Sequence, residues 1–296
     1  MQVSTLAIRI GTILFLLLAV LFSVAVNLSP FSISAAVFKA ASEPLLTVTF
    51  LDVGQGDAIY IETPDGVQVL IDGGPDSGVL RELSKQLPLF DTDLDVVIAT
   101  HSDKDHVGGL IEVFERFAVD TIVRTKNQND TEVAQLFDTF VGTEGAEILY
   151  ARAGQQLQLG ASTTLLILSP EGDSSQWESN TASIIAQLQY GEATFMLTGD
   201  APLNIEEYLV TTHGPLLQSD VLKLGHHGSR TSSGDLFLDS VSPEYGVVSA
   251  GKDNSYGHPH TEVVQALTER GIVMLETATQ GNIVFKSDGQ DVWLVE

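Results

Sequence analysis

Residues 95–109 read DVVIATHSDKDHVGG. The first six, Asp95 to Thr100, contain a β-branched apolar run of the kind that forms a short strand buried on both faces. His101, Asp103, Asp105 and His106 then put four metal-ligand side chains into six positions, and Gly108 and Gly109 lie in a helical pattern that reaches about Phe117. At this chain's composition the spacing H-x-D-x-D-H-x-G-G arises by chance with a probability on the order of 10⁻⁵, so it is read as a site. A turn leaving a strand aims alternate residues in different directions, which lets His101 and Asp103 face one cation while Asp105 and His106 face a second. The glycines allow backbone to pack closely beneath them.

Upstream of this stretch the chain is rich in hairpin signals. LTVTFLDV (46–53), AIYIET (58–63) and VQVLID (67–72) have strand character, and Pro64-Asp65-Gly66 punctuates the last two. Downstream, strand patterns near 121–125, 147–151, 163–168, 184–190 and 193–198 are joined by helical patterns near 131–141 and 202–212. VLKLG (221–225), a helix near 234–240, YGVVSA (245–250), a helix near 260–270 and three short strands complete the chain. Strands come in adjacent pairs as well as alternating with helices, which points to mixed sheets in a layered α/β domain. No short-period repeat is present.

Composition narrows the chemistry. With 44% hydrophobic residues the chain buries a substantial core, and with no cysteine any catalytic metal is held by histidine and carboxylate. Arg9 and Lys39 are the only charges in the first 42 of 296 residues, so 12 basic residues face 39 acidic ones in the rest. An excess of this size keeps a domain soluble and argues against a broad nucleic-acid or anionic-lipid surface. Ile10 to Val26 is an apolar stretch of 17 residues, about 26 Å as a helix. Residues 1–28 are therefore read as a transmembrane anchor or a cleaved signal segment, with Ser34 and Ala36 as small residues suited to cleavage. Either reading puts the following domain outside the cytoplasm, membrane-anchored or secreted. Residues 29–45 read as a linker, and 46–296 as the globular domain. No second apolar run of this length follows, so the chain is expected to form no channel by itself.

Several residues join the first motif. TFMLTGD (194–200) is a strand ending in Asp200, and VLKLGHHGS (221–229) is a strand ending in His226, His227 and Ser229. Strand ends are where ligands collect in α/β architectures. Asp72, closing VLID, is expected to orient a ligand histidine. NSYGHPH (254–260) brings Asn254, Tyr256, His258 and His260, among which His258 is the candidate general acid and the others substrate contacts. His213 is read as an ordinary surface residue.

Taken together, LDVGQGDA (51–58), LIDGG (70–74), THSDKDHVGG (100–109), TGD (198–200), LKLGHHGSRTSS (222–233) and NSYGHPH (254–260) resemble the metallo-β-lactamase superfamily, and within it the ComEC-like hydrolase domains. The resemblance covers 46–296. It implies a four-layer αββα sandwich of two mixed sheets with a dinuclear site at one edge. By the same resemblance His101 and Asp103 hold one metal and Asp105 and His106 the other. Asp200 bridges them, and His226 closes the second site, with His227 the other choice of the pair. The usual second histidine is Asp103 here, and no histidine lies between 107 and 212 to serve as the third-motif ligand. Asn180 and Ser183, in SNTAS (179–183), occupy that place. An oxygen-rich site accepts Mn²⁺ as well as Zn²⁺.

These features imply a membrane-tethered extracytoplasmic dinuclear metallohydrolase. Asp105, Asp200 and His258 are expected to serve catalysis, and the resemblance implies a phosphodiester substrate such as single-stranded DNA during uptake, with a membrane channel as partner. Two alternatives remain open on sequence. One is an envelope hydrolase of small phosphodiesters or esters, which suits the acidic surface; the other is a noncatalytic metal-binding interaction module, which suits the missing histidine.

Overall fold

The structure is a computed structural model that describes residues 44–295. The apolar segment read as an anchor or signal, and most of the linker, lie outside the described residues. Among the described residues no helix is long and apolar enough to cross a membrane.

Two mixed sheets face each other. The first has β1 (Leu46–Phe50), β2 (Ile59–Glu62), β3 (Gln68–Ile71), β4 (Asp93–Ala99), β5 (Ala118–Arg124), β6 (Glu147–Tyr150), β14 (Ile283–Ser287) and β15 (Val292–Leu294), in the order β15-β14-β1-β2-β3-β4-β5-β6. The second has β7 (Gln156–Leu159), β8 (Thr163–Ser169), β9 (Ile185–Tyr190), β10 (Ala193–Leu197), β11 (Val221–Lys223), β12 (Tyr245–Val248) and β13 (Val273–Glu276), in the order β13-β12-β11-β10-β9-β8-β7. Alternation along the strands explains the layers. Val48, Phe50, Ile59, Ile61, Val96 and Ile98 point inward and meet Leu165, Ile167, Leu188, Phe195, Val221 and Val247 of the facing sheet. Intervening residues such as Tyr60, Leu70, Val97 and Ile122 point outward, against Val107, Leu110 and Val113 of α2 (Lys104–Phe114) and Phe137 of α3 (Glu132–Glu144). The other sheet turns Met196, Leu222 and Val248 toward Leu209 of α4 (Leu203–His213), Phe237 and Leu238 of α5 (Asp235–Val241), and Val263 and Leu267 of α6 (Thr261–Arg270). β4 is packed on both faces, which is why its sequence is apolar without alternation.

The expected elements are present, with boundaries trimmed by the site. β1 stops at Phe50, because residues 51–58 leave the sheet to form a loop, and α2 stops at Phe114. Two short helices, α1 (Gly78–Leu83) and α7 (Thr277–Gln280), and the edge strand β7 were not legible in the sequence pattern. β7 reads Gln-Leu-Gln-Leu, mostly exposed, and is held by antiparallel pairing with β8 rather than by a buried face of its own.

Direction decides where the site is. β3, β4, β5 and β6 are parallel, and β1 runs the same way because two antiparallel pairings separate it from β3. In the other sheet β10, β11 and β12 are parallel, and β8 shares their direction through β9. The segments after these strands carry Asp57, Asp72, His101, Ser183, Asp200, the His226–His227 pair and the 254–260 loop, so all of them leave C-terminal strand ends.

Gly109 sits where α2 crosses the backbone after β3. A Cβ there would lie 1.9 Å from the Gly73 carbonyl oxygen, so no side chain fits without moving the helix. Gly109→Ala is expected to cost about 1–3 kcal/mol as overpacking, read as a fall of roughly 2–10 °C in Tm by thermal unfolding. Gly142→Ala, in α3 with open space at the Cβ position, is expected to stabilise by about 0.5–1 kcal/mol.

Candidate metal centre

The centre is assembled from loops that approach closely. Asp57 follows Gly56, whose φ of +109° and whose virtual Cβ, 2.0 Å from the Asp105 carbonyl oxygen, admit only glycine. The Asp57 N–H donates to that same oxygen at 3.2 Å, so the 51–58 loop is laced onto the first turn of α2. Asp72 lies in the left-handed region (φ 57°), as do His226 (φ 48°) and His227 (φ 56°). Backbone strain of this kind persists only where surroundings over-determine it.

Two imidazoles converge on one carboxylate oxygen. His106 Nε2 and His227 Nε2 each lie 3.3 Å from Asp200 Oδ2, and Asp105 Oδ2 lies 3.2 Å from His227 Nε2. Behind each ring stands a further carboxylate. Asp72 Oδ2 pairs with His106 Nδ1 at 2.8 Å, while its two oxygens also accept from the Thr100 N–H (2.8 Å) and hydroxyl (2.6 Å). Asp57 Oδ1 lies 3.2 Å from His227 Nδ1, without the alignment of a hydrogen bond, and its Oδ2 pairs with the fully buried Lys223 ammonium. Asp57, His106, Asp200 and His227 are all buried, and one ligand atom from each lies within 4.8 Å of the others.

The fit to a metal rests on atoms left without partners. His101 Nε2, His106 Nε2, His227 Nε2, Asp57 Oδ1 and Asp200 Oδ1 are buried and accept or donate no hydrogen bond. Orphaned buried polar atoms are costly, and a set of imidazole nitrogens and carboxylate oxygens is what Zn²⁺ or Mn²⁺ binds. The cluster therefore suits divalent metal ions.

Of the expected ligands, Asp105, His106 and Asp200 meet at this point. His101 and Asp103 adjoin one another to one side, with His101 Nε2 3.8 Å from Asp103 Oδ2 and the His101 and His106 ring centroids 4.0 Å apart. Asp103 also accepts from Asn129 Nδ2 at 3.1 Å. Both members of the histidine pair lie near Asp200. His227 points into the cluster, whereas His226 is partly exposed, its Nε2 3.8 Å from Asp200 and its Nδ1 3.1 Å from the Thr231 hydroxyl. Both rings approach Asp200 Oδ2, but His227 is the buried and nearer one. Ser183 Oγ accepts the Asp200 N–H at 3.3 Å, and Asn180 Oδ1 is buried without a partner. Ser229 shares a hydrogen bond with Thr231. His260 accepts the Arg230 N–H, so it ties two loops together. Asn254 clamps its loop by accepting from the His258 N–H and donating to the His258 carbonyl, and the exposed Tyr256 stacks on the His258 ring.

Sequence reading missed Asp57 and Lys223. The signal for Lys223 was a cation inside the apolar strand VLKLG, since a buried ammonium requires a buried anion. The signal for Asp57 was an acid between a glycine and an apolar strand.

Electrostatics follow from burial and pairing. Burial opposes charge on His106 and His227, yet Asp200 with Asp72 and Asp57 holds both imidazolium forms well above the usual histidine range. Burial likewise opposes ionisation of Asp200 and Asp57, but His227 and His106 for the first, and Lys223 and His227 for the second, hold them below the carboxylate range. His258 is pushed down to about 4 by burial and then by the His227, His226 and His260 charges. Burial and the neighbouring positive charges thus favour the neutral imidazole. The sign is the same whether the neighbouring positive charge sits on imidazolium or on a bound cation.

Residues 51–159 match the metallo-beta-lactamase superfamily. The chain carries a domain of that superfamily. It is 32% identical over 260 residues to ComE operon protein 3 of Bacillus subtilis, covering 81% of this chain and 33% of that protein. It is 31% identical over 248 residues to competence protein ComA of Neisseria gonorrhoeae, covering 83% of this chain and 33% of that protein. The match thus spans about a third of the length of these competence proteins of the ComEC type. Among solved structures, CmlA, a diiron beta-hydroxylase from Streptomyces venezuelae, superposes with a TM-score of 0.53 at 14% identity, over 78% of this chain and 52% of that one. At that identity the likeness is one of fold. The domain has a metal-dependent hydrolase fold with a buried Asp/His cluster suited to metal.

His227→Ala is expected to lose most of the metal retained after dialysis, and His226→Ala to keep most of it, measured by elemental mass spectrometry. A second expectation concerns pH. In the metal-free chain the raised pKa values of His106 and His227 contribute stability that is complete below the unfolded-state value, about 6.5, and lost as pH rises through the folded values. Metal needs neutral imidazole, so added Zn²⁺ or Mn²⁺ is expected to raise Tm more at about pH 8.5 than at about pH 6.

Proposed function

We infer that this is a metal-dependent phosphodiesterase of the ComEC-like type. In this reading the N-terminal apolar segment tethers it outside the cytoplasm, and it cuts single-stranded DNA delivered with a membrane channel partner. The observation that carries the reading is the convergence of two carboxylate-backed imidazoles on Asp200 at the mouth formed by parallel strand ends. The relatives, competence proteins, supply the link to DNA uptake.

His101 with Asp103 on one side, and Asp105, His106 and His227 on the other, with Asp200 between them, are the residues that would hold two divalent ions. Bound there, such ions supply Lewis acidity for water activation and counter-charge for phosphoryl oxygens. The chain's own contribution is preorganisation. Asp72 fixes the ring orientation of His106 through a hydrogen bond, and Asp57 places a carboxylate behind the His227 ring, each raising the basicity of its imidazole. Lys223 keeps Asp57 ionised. Ser183 holds the Asp200 backbone in place. His258, neutral at pH 7, hydrogen-bonds the substrate at the rim rather than protonating its leaving group, and Asn254 keeps that loop in position.

The net charge of −25 favours a second reading, in which the substrate is a small phosphodiester of the envelope. Both are tested on the 296-residue chain with Mn²⁺ or Zn²⁺, comparing bis(p-nitrophenyl) phosphate with a single-stranded oligonucleotide. Hydrolysis of both substrates is expected, abolished in Asp200→Ala and lowered about 10- to 100-fold in Asp72→Ala. Cleavage of the small ester alone supports the second reading, and no turnover of either overturns both.

A further inference from the structure

Beyond residue 42 the chain has 12 basic residues, of which Arg81, Lys85, Arg124, Lys223, Arg230 and Arg270 lie in ion pairs among the described residues. Lys126 and Arg152 form no ion pair among the described residues, and both are exposed. They follow β5 and β6, which pair in parallel with Arg124 opposite Tyr150, and the Ala151 N–H donates to the Arg124 carbonyl at 2.8 Å. Their loops therefore run side by side, at the sheet edge from which His101 also emerges.

At the end of β5 lies a cleft of about 410 Å³ lined by Lys126, Asn127, Gln128, Asp138, Tyr150 and Ser175, and Arg152 stands two positions beyond Tyr150. Lys126 Nζ stands 5.8 Å from the centroid of the Tyr150 ring, and that ring, on an edge strand, is 48% exposed. Two acids face this region. Asp138 is already bound to Arg124 at 2.7 Å, and Asp173 lies within electrostatic reach of Lys126.

The cleft is tied to the metal motif. Asn127 is buried, donating to the Trp177 carbonyl at 2.6 Å and accepting from the hydroxyl of Ser102, the residue between His101 and Gly-bearing α2's cap Asp103, at 3.0 Å. Asn129 donates to Asp103 itself, and the Lys126 N–H donates to Ser174 Oγ at 3.2 Å. The loop that presents Lys126 is thus braced against the ligands it adjoins.

A cation beside a half-exposed aromatic ring is a pattern that binds single-stranded nucleic acid, where phosphates meet charge and bases stack. We propose that Lys126, Tyr150 and Arg152 form a subsite for a nucleotide flanking the scissile phosphodiester of a single-stranded polynucleotide. Tyr150 stacks on the base, and Lys126 and Arg152 contact its phosphates. This rests on the phosphodiesterase reading above and narrows its substrate to a strand longer than one nucleotide.

The test is anisotropy of a labelled single-stranded oligonucleotide with the 296-residue chain in EDTA, where no turnover is needed. Tyr150→Leu is expected to weaken binding roughly 5- to 100-fold, and Tyr150→Phe to keep it. The loss on Tyr150→Leu should vanish when the oligomer is abasic. Lys126→Ala with Arg152→Ala should weaken binding of normal and abasic oligomers alike, and lower the salt-dependence slope by about 1.4, or 0.7 per phosphate contact. Arg116→Ala, which removes an exposed charge beyond α2, is the control and keeps wild-type affinity. Variants that bind like Arg116→Ala, or a wild-type chain that binds no oligomer, overturn the subsite. Binding that depends on these residues without cleavage in metal overturns the phosphodiesterase reading and leaves the subsite standing; cleavage that ignores them does the reverse.

Discussion

Three carboxylates, Asp57, Asp72 and Asp200, share a buried volume with the imidazoles of His101, His106 and His227 and the ammonium of Lys223. Each ion taken out of water costs several kcal/mol unless partners of opposite charge and hydrogen-bond donors replace the solvent. The arrangement answers that cost in a chain: Lys223 to Asp57, Asp57 to His227, His227 to Asp200, Asp200 to His106, His106 to Asp72, and Asp72 to the Thr100 backbone and hydroxyl. No member can be removed without stranding its neighbours. The loops that carry them are consequently held in left-handed and glycine-only conformations that would otherwise be unfavourable.

The sandwich makes such a network possible. Strands of one direction in both sheets end at one edge, so segments distant in sequence are delivered to the same place. The core beneath is apolar and continuous between the sheets, from Phe50 and Ile98 to Phe195 and Val247. It gives the loops rigid starting points, and most helices on the outer faces carry none of the clustered residues. α2 is the exception, because its first turn carries Asp105 and His106 and its glycines let it lie against the loop after β3.

Charge is used locally as well as globally. The acidic excess over the domain repels polyanions at long range, while Lys126 stands beside Tyr150 at the sheet edge without an ion-pair partner among the described residues.

Much of this was legible in the sequence. The spacing of His101, Asp103, Asp105 and His106 after an apolar strand announced the site, the paired strands announced mixed sheets, and Asp72 and Asp200 stood out as acids at strand ends. Which histidine of the pair faces inward was not legible, because the left-handed conformation of His226 and His227 is imposed by packing and not by residue type. Asp57 and Lys223 were hidden for a related reason: they are 166 positions apart, and only the pairing of strand directions across two sheets makes them neighbours. Sequence by itself determined the ligand types, the strand alternation and the apolar core, all of which are local. Tertiary structure decided which buried charge meets which, because that depends on long-range register and on the desolvation each partner must relieve in the other.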